Sequence, residues 1–255
     1  MTVVPRRSVL TGLAGLPLAA VLADPRLAAA AAAGLEPVSL TTPSGRPVAA
    51  SLTVPATAPA PTVILIHEWW GLNDQIKAVA AEFANQGYRG LAVDLYGGQV
   101  APDAGAAQSL MEAVDPAAAT ETLVAWGDWL KAEPRSTGKL GTVGWCFGGA
   151  WSLNTSIATP VDATVIYYGR VERSVEDLKK LNGPVLGHFA EQDQWINRDM
   201  VGGFETNMAE AGKALEVHWY DANHAFANPT GDNYRKPEAE LAWSRTLDFL
   251  KAQLT

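Results

Sequence analysis

Cysteine is almost absent from this chain of 255 residues: Cys146 is the only one. A lone thiol excludes an intramolecular disulfide, so packing and hydrogen bonds must hold the fold. Positive charge is also scarce. Only 19 Lys and Arg stand against 27 Asp and Glu, a formal net charge of −8 without a basic run. That balance argues against nucleic acid or an anionic membrane surface as a partner. Long apolar runs are missing too. The mild apolar stretch at 9–22 is interrupted by glycine and proline and stops before Asp24-Pro25, short of the roughly 20 residues a membrane-spanning helix needs. No internal repeat and no domain linker is visible after residue 33.

The N-terminus carries a targeting pattern. Pro5-Arg6-Arg7-Ser8 precedes the mild apolar run, and an alanine tract at 28–33 offers A-x-A cleavage sites. This predicts an export signal, and the adjacent arginines predict the twin-arginine route to the periplasm or the cell exterior. A chance Arg-Arg before an ordinary secretory signal is the alternative. Residues 1–33 are therefore expected to be cleaved off, leaving 34–255 as one α/β domain, a monomer with no membrane contact. The signal carries Arg6, Arg7 and Arg26 against Asp24, so its removal deepens the net charge from −8 to −10. Exported proteins often use disulfides, so the single thiol is either buried and inert or kept because it reacts.

Strand-like and helix-like segments alternate from residue 47 onward, the pattern of a mostly parallel sheet with helices on both faces. Strands are expected at 47–54 (antiparallel), 62–66, 89–95, 140–143, 163–168, 184–189 and 215–220. Helices are expected at 74–86, from Asp115-Pro116 to about 131, at 150–157, 175–181 and 199–211, and from Pro237 onward. The last should bury Leu241, Ser244, Leu247 and Leu250 on one face.

Cys146 sits in Gly144-Trp145-Cys146-Phe147-Gly148-Gly149, between an expected strand and an expected helix. This has the form of a nucleophile elbow with cysteine in the serine position. A thiolate there gains from the helix N-terminus. A cysteine nucleophile needs a base, and the base needs an orienting acid. Asp193 and His224 each follow a strand, in the chain order nucleophile, acid, histidine. Parallel strands bring such loops together at the carboxyl edge of the sheet. Glu191 is an alternative acid and His67 an alternative base; His188 and His218 lie inside strands and read as packed or surface residues. The loop His67-Glu68-Trp69-Trp70-Gly71 stands where half of an oxyanion hole is usually supplied, with the N–H groups of Trp69 and Phe147 as donors. Glu68 beside the thiol is unusual for a plain hydrolase, its bland reading being a solvated loop carboxylate. Trp69, Trp70, Trp145 and Trp195 fall next to these motifs and are expected to wall an apolar cleft with Tyr96 and Phe226.

Over nearly all of residues 36–252 the chain resembles the dienelactone hydrolase family of α/β-hydrolases. The resemblance rests on the 67–71 loop, Asp94-Leu95-Tyr96, the elbow, Tyr167-Tyr168-Gly169, Pro184-Val185-Leu186-Gly187, Gln192-Asp193 and His224-Ala225-Phe226. It implies the α/β-hydrolase fold, a carboxymethylenebutenolidase-like esterase, and a triad of Cys146, His224 and Asp193 working through a thioester acyl-enzyme without cofactor or metal. It also implies that Glu68 holds the resting thiol and helps to generate the thiolate when substrate arrives. Two positions depart from the family. Members acting on dienelactone grip its carboxylate with an arginine after each of two motifs; here those positions are Gly98 and Asn228, neither of which forms a bidentate carboxylate pair. The expected substrate is a small ester or lactone other than a dienelactone carboxylate, unless Arg170, Arg198 or Arg235 supplies a cation from elsewhere. Two rival readings are a binding protein that has kept the fold without turnover, and a thiol redox protein, which a lone cysteine without a resolving partner disfavours.

Overall fold

The computed structural model of the protein describes residues 16–255. Arg6, Arg7 and the start of the apolar run lie outside the described residues. Helices α1 (Leu18–Ala23) and α2 (Pro25–Ala32) are followed by β1 (Glu36–Thr41), β2 (Pro47–Leu52), β3 (Ala60–Ile66), α3 (Asp74–Asn85) and β4 (Arg89–Val93). Then come α4 (Ala104–Glu112), α5 (Pro116–Ala132), β5 (Ser136–Trp145), α6 (Phe147–Ala158), β6 (Ala163–Tyr167) and α7 (Val175–Leu178). The chain closes with β7 (Val185–Ala190), α8 (Arg198–Glu210), β8 (Leu215–Tyr220) and α9 (Lys236–Leu254).

The strands form one sheet in the order β1-β2-β4-β3-β5-β6-β7-β8. β1 and β2 are antiparallel to their neighbours, and every pair from β4 to β8 is parallel. This is the α/β-hydrolase fold. The burial of the strands explains their composition. β3, β4, β6 and β7 are buried along their whole length, as continuous apolar runs covered on both faces should be. Helix starts follow the side-chain chemistry. Asn73, Asp103, Asp115 and Asn197 each accept a hydrogen bond from an N–H in the first turn of α3, α4, α5 and α8, satisfying donors that have no partner within the helix.

Two differences from the sequence reading have physical causes. β1 and α4 were not anticipated. β1 is an exposed edge strand with a weak apolar alternation, and α4 buries only Ala107, so neither leaves a strong hydrophobic period. The buried face of α9 is Ala242, Thr246, Leu250 and Leu254, whereas Leu241 is 47% exposed. Thr246 is the reason for the rotated face. Its hydroxyl lies 2.7 Å from Tyr167 Oη and 3.0 Å from His188 Nε2, and His188 Nδ1 lies 2.8 Å from Tyr220 Oη. This buried network ties α9 to β6, β7 and β8. Burial holds the His188 pKa well below its ordinary value, so the ring is a neutral structural group. Residues from α1 and α2 also pack on the domain. Val21, Leu22, Ala28 and Ala31 join the buried cluster that contains Val79, Phe83 and Leu250.

The seating of α9 is open to a direct test by urea unfolding. Leu250→Ala is expected to destabilise the protein by about 2–5 kcal/mol, and Leu241→Ala by no more than about 0.5 kcal/mol. Equal losses would mean that the helix presents a different face to the sheet.

Candidate active site

The end of β5, the start of α6 and the end of β3 meet with almost no space between their backbones. A Cβ on Gly148 would lie 2.1 Å from the Ile66 carbonyl oxygen, and one on Gly144 would lie 1.9 Å from that of Gly148. Only glycine permits these approaches. The turn between them forces Cys146 to φ 54° and ψ −117°, a conformation that L-residues avoid. Tyr168 and Ala225 are the other non-glycine residues with positive φ among the described residues. All three lie on loops that follow strands, and all three border the same site.

His224 bridges the other two members of the expected triad. Its Nδ1 lies 2.6 Å from Asp193 Oδ2 and its Nε2 lies 3.2 Å from Cys146 Sγ. Asp193 is buried, and its Oδ1 accepts hydrogen bonds from the N–H groups of Trp195 (2.9 Å) and Ile196 (3.0 Å). Burial alone raises the Asp193 pKa, but the His224 contact and those two N–H donors outweigh it and leave the group below its ordinary value. Burial lowers the His224 pKa, and the contacts to Asp193 and Cys146 overturn that and lift it to about 10. The imidazole is thus oriented by a carboxylate and presents its second nitrogen to the thiol, an arrangement competent for proton transfer. Glu191 is exposed and accepts from Arg198 Nη2 at 2.9 Å, away from His224.

Glu68 is buried, contrary to the solvated-loop reading. Its Oε2 accepts from Asn228 Nδ2 at 2.6 Å and its Oε1 from the Tyr168 hydroxyl at 3.2 Å. Asn228 Oδ1 accepts in turn from Gln75 Nε2 (2.8 Å), Thr230 N (3.0 Å) and Thr230 Oγ1 (2.8 Å). The Thr230 N–H only donates, which fixes the orientation of the Asn228 amide. The resemblance implied a Glu68 that holds the resting thiol. Here both its oxygens are engaged by Asn228 and Tyr168, while the thiol faces His224. Burial raises the Glu68 pKa, opposed by the Asn228 hydrogen bond and by nearby His224. Tyr168 and Gln75 were not singled out from the sequence as site residues. Their signal was faint: Tyr168 appeared only within the Tyr-Tyr-Gly motif.

His67, the alternative base, has both ring nitrogens engaged. It is fully buried, with Nδ1 2.6 Å from the Glu68 carbonyl oxygen and Nε2 3.2 Å from the Leu95 nitrogen. Burial pulls its pKa down to about 4 despite the Glu68 carbonyl and Asp94. Among the described residues Trp69 N–H has no protein acceptor, and Phe147 opens α6, where N–H groups have no partner within the helix.

The expected apolar wall is only partly assembled. Trp69 and Trp70 are half-buried and meet edge to face. Trp195 is 69% exposed and sets its ring edge-on to His224 at 5.2 Å. Tyr96 packs on His67 and Phe147 and lines a recess of about 650 Å³ that runs along α5. Trp145 and Phe226 do not face the cleft. Trp145 is buried against Tyr167 and borders a separate recess of about 280 Å³ beside Leu22, Val79 and Trp243. Strand alternation accounts for this, since Trp145 precedes the turn and points through the sheet. Phe226 is fully buried between Tyr168 and Tyr220. Among the described residues no group of three or more His, Cys, Asp or Glu is placed to hold a metal ion.

Comparison with known proteins places the chain in a family. The model of the dienelactone hydrolase family matches residues 48–254. The chain belongs to that family. A carboxymethylenebutenolidase from Pseudomonas putida is 31% identical over 229 residues, covering 84% of this chain and 95% of the relative. Protein usf of Aquifex pyrophilus is 33% identical over 212 residues, covering 76% and 89%. Among solved structures, a dienelactone hydrolase-like promiscuous phosphotriesterase from metagenomic libraries superposes with a TM-score of 0.79, covering 87% of this chain and 99% of the other at 22% identity. That likeness bears on the fold alone. As a member of the family the protein is a hydrolase acting on ester or lactone bonds.

The raised His224 pKa has a sign that can be checked. Below the ordinary value of 6.5 the folded and unfolded chains are both protonated at this histidine, and the stabilisation from its partners is complete. Between 6.5 and about 10 the folded chain retains a proton that the unfolded chain has lost, so stability falls as pH rises. The stability advantage of the wild type over Asp193→Asn should therefore be largest near the low end of that window and shrink toward its upper end. An advantage independent of pH, in urea melts across this range, would count against a His224 held charged by Asp193.

Proposed function

We propose that the protein is an exported, cofactor-free hydrolase of neutral esters or lactones, working through Cys146, His224 and Asp193. The observation that carries the reading is the His224 ring, in reach of the Asp193 carboxylate on one side and the Cys146 thiol on the other. With His224 already protonated beside it, Cys146 Sγ attacks the carbonyl carbon as a thiolate. The carbonyl oxygen takes the negative charge, facing the N–H groups of Trp69 and Phe147. Collapse breaks the bond to the alcohol oxygen, which leaves with the His224 proton, and a thioester remains. His224 then takes a proton from water, the hydroxide attacks the thioester, and the acid and the thiol are released. Asp193 keeps the imidazole oriented throughout.

Preference for a neutral substrate rests on how the charges are already used. Asn228 spends its amide on Glu68, Gln75 and Thr230. Gly98 offers only a backbone N–H, and that donates to the Asp94 carboxylate. The three arginines considered as replacements for the missing clamp are each paired elsewhere: Arg170 with Glu172, Arg198 with Glu191, and Arg235 with Glu238. Arg198 also stacks over Trp219 at 4.2 Å. An anionic substrate brought beside buried Glu68 and Asp193 thus meets carboxylates, and none of these three arginines is free to pair with it, at a cost of several kcal/mol.

The test is a matched pair of lactones, one neutral and one carrying a carboxylate, assayed with wild type, Cys146→Ala, His224→Ala and the double variant. The neutral member is expected to lead by at least about tenfold in kcat/KM, a difference of about 1.4 kcal/mol. Each single variant should lose at least about a thousandfold in kcat, and the double variant little more. Preference for the anionic lactone would overturn the substrate assignment, and turnover surviving in Cys146→Ala would overturn the nucleophile.

Export is the second part of the reading, supported by Arg6-Arg7, the mild apolar run and the alanine tract. Replacing both arginines with lysine is expected to leave uncleaved precursor in the cytoplasm. Normal processing of that variant would point to a route indifferent to the pair.

A further inference from the structure

His67 is a fully buried histidine with both ring nitrogens engaged, and the proposed chemistry gives it no proton to move. Its partners dictate its tautomer. The Glu68 carbonyl oxygen accepts only, so Nδ1 carries the proton; the Leu95 N–H donates only, so Nε2 is the acceptor. The ring is thereby a rigid strut between two loops, one following β3 and the other following β4. It is clamped from the side as well. Tyr96 meets it edge-on at 4.7 Å, and Phe147 stacks on it at 5.8 Å with the planes 20° apart.

The atom that His67 holds belongs to a particular peptide unit. The Glu68 carbonyl and the Trp69 N–H are the two ends of one trans amide plane and point in opposite directions. Fixing the carbonyl toward His67 therefore fixes the N–H on the far side. A second donor, Gly71 N–H at 3.3 Å, reaches the same carbonyl across the turn. The Trp69 N–H meanwhile has no protein acceptor among the described residues.

We propose that His67 is a positioning residue for the oxyanion hole: its bond to the Glu68 carbonyl sets the 68–69 peptide so that Trp69 N–H faces the carbonyl oxygen of the substrate, and its stacking on Phe147 keeps the second donor in register with the first. The proposal rests on the Cys146 reading, because the oxyanion forms only if a nucleophile adds to the carbonyl. It separates the role of His67 from that of His224: one ring orients a dipole and the other moves a proton.

The experiment uses the full chain with His67→Leu, His67→Asn and His67→Gln, and p-nitrophenyl acetate as the ester. The Asn amide nitrogen occupies the place of Nδ1 and keeps the donor to Glu68; the Gln oxygen occupies the place of Nε2 and keeps only the bond from Leu95. His67→Leu is expected to lose about tenfold to a hundredfold in kcat, less than the loss typical of deleting an oxyanion donor outright, with KM changed by no more than about threefold. His67→Asn should recover most of that loss, and His67→Gln should not. Alkylation of Cys146 by iodoacetamide forms no oxyanion, so its rate should stay within about twofold of wild type in every folded variant. Should His67→Leu fail to fold, the ratio of kcat between Asn and Gln carries the test, with about tenfold or more in favour of Asn expected. Equal kcat in those two, an unchanged kcat in folded His67→Leu, or equal loss of turnover and alkylation would each overturn the proposal. Cys146→Ala, run beside them, keeps the two readings apart: its loss of turnover leaves any failure with His67 alone, and its full activity overturns the nucleophile and the oxyanion hole together.

Discussion

Three backbone segments in this molecule touch where no side chain fits. The end of β3, the end of β5 and the first turn of α6 close on one another at Gly144 and Gly148, with virtual Cβ contacts near 2 Å. From that contact follows the left-handed conformation of Cys146, because the chain has to reverse within a residue to begin the helix. From it also follows the placing of the 67–70 loop beside the thiol, since β3 ends against the very helix that begins there. The site is therefore a product of backbone packing in the core, and the loops from β6, β7 and β8 are added to a thiol already in place.

How much of this was legible in the sequence depended on what kind of signal each part left. The parallel strands were readable because burial on both faces demands unbroken apolar runs, and 62–66 and 163–167 supply them. The elbow was readable because glycine spacing records steric closeness directly. β1, α4 and the buried face of α9 were not, because an edge strand, an alanine-rich surface helix and a helix anchored by a buried Thr246 leave no clean apolar period. The His224 contacts to Asp193 and Cys146 follow from chain order and strand ends. The Glu68 partnership did not, since nothing local announces that Asn228, distant in the chain, turns its amide toward that carboxylate. Trp145 was assigned to the cleft by proximity in sequence, and strand alternation sent it to the other side.

The buried carboxylate is held without a cation. Asn228 gives the Glu68 side chain a neutral donor, and Gln75, Thr230 and Tyr168 complete its surroundings. Both Glu68 carboxylate oxygens and both polar atoms of the Asn228 amide are engaged with protein. A polar network closed on itself in this way is rigid. It leaves the Cys146–His224 contact as the resting arrangement of the thiol.

The three left-handed residues, Cys146, Tyr168 and Ala225, sit on separate loops around one ring, that of His224. Holding a non-glycine residue in that region takes of order 1–3 kcal/mol from native stability. Summed over three positions, the toll is comparable with the whole margin by which a domain of this kind exceeds its unfolded chain. Selection on thermal tolerance alone would therefore drift toward relaxing these turns, and selection on turnover would restore them. The trio marks a standing trade-off between endurance and reactivity. In a thermostabilised descendant of this protein, these are the places where a gain in melting temperature would coincide with a silent enzyme.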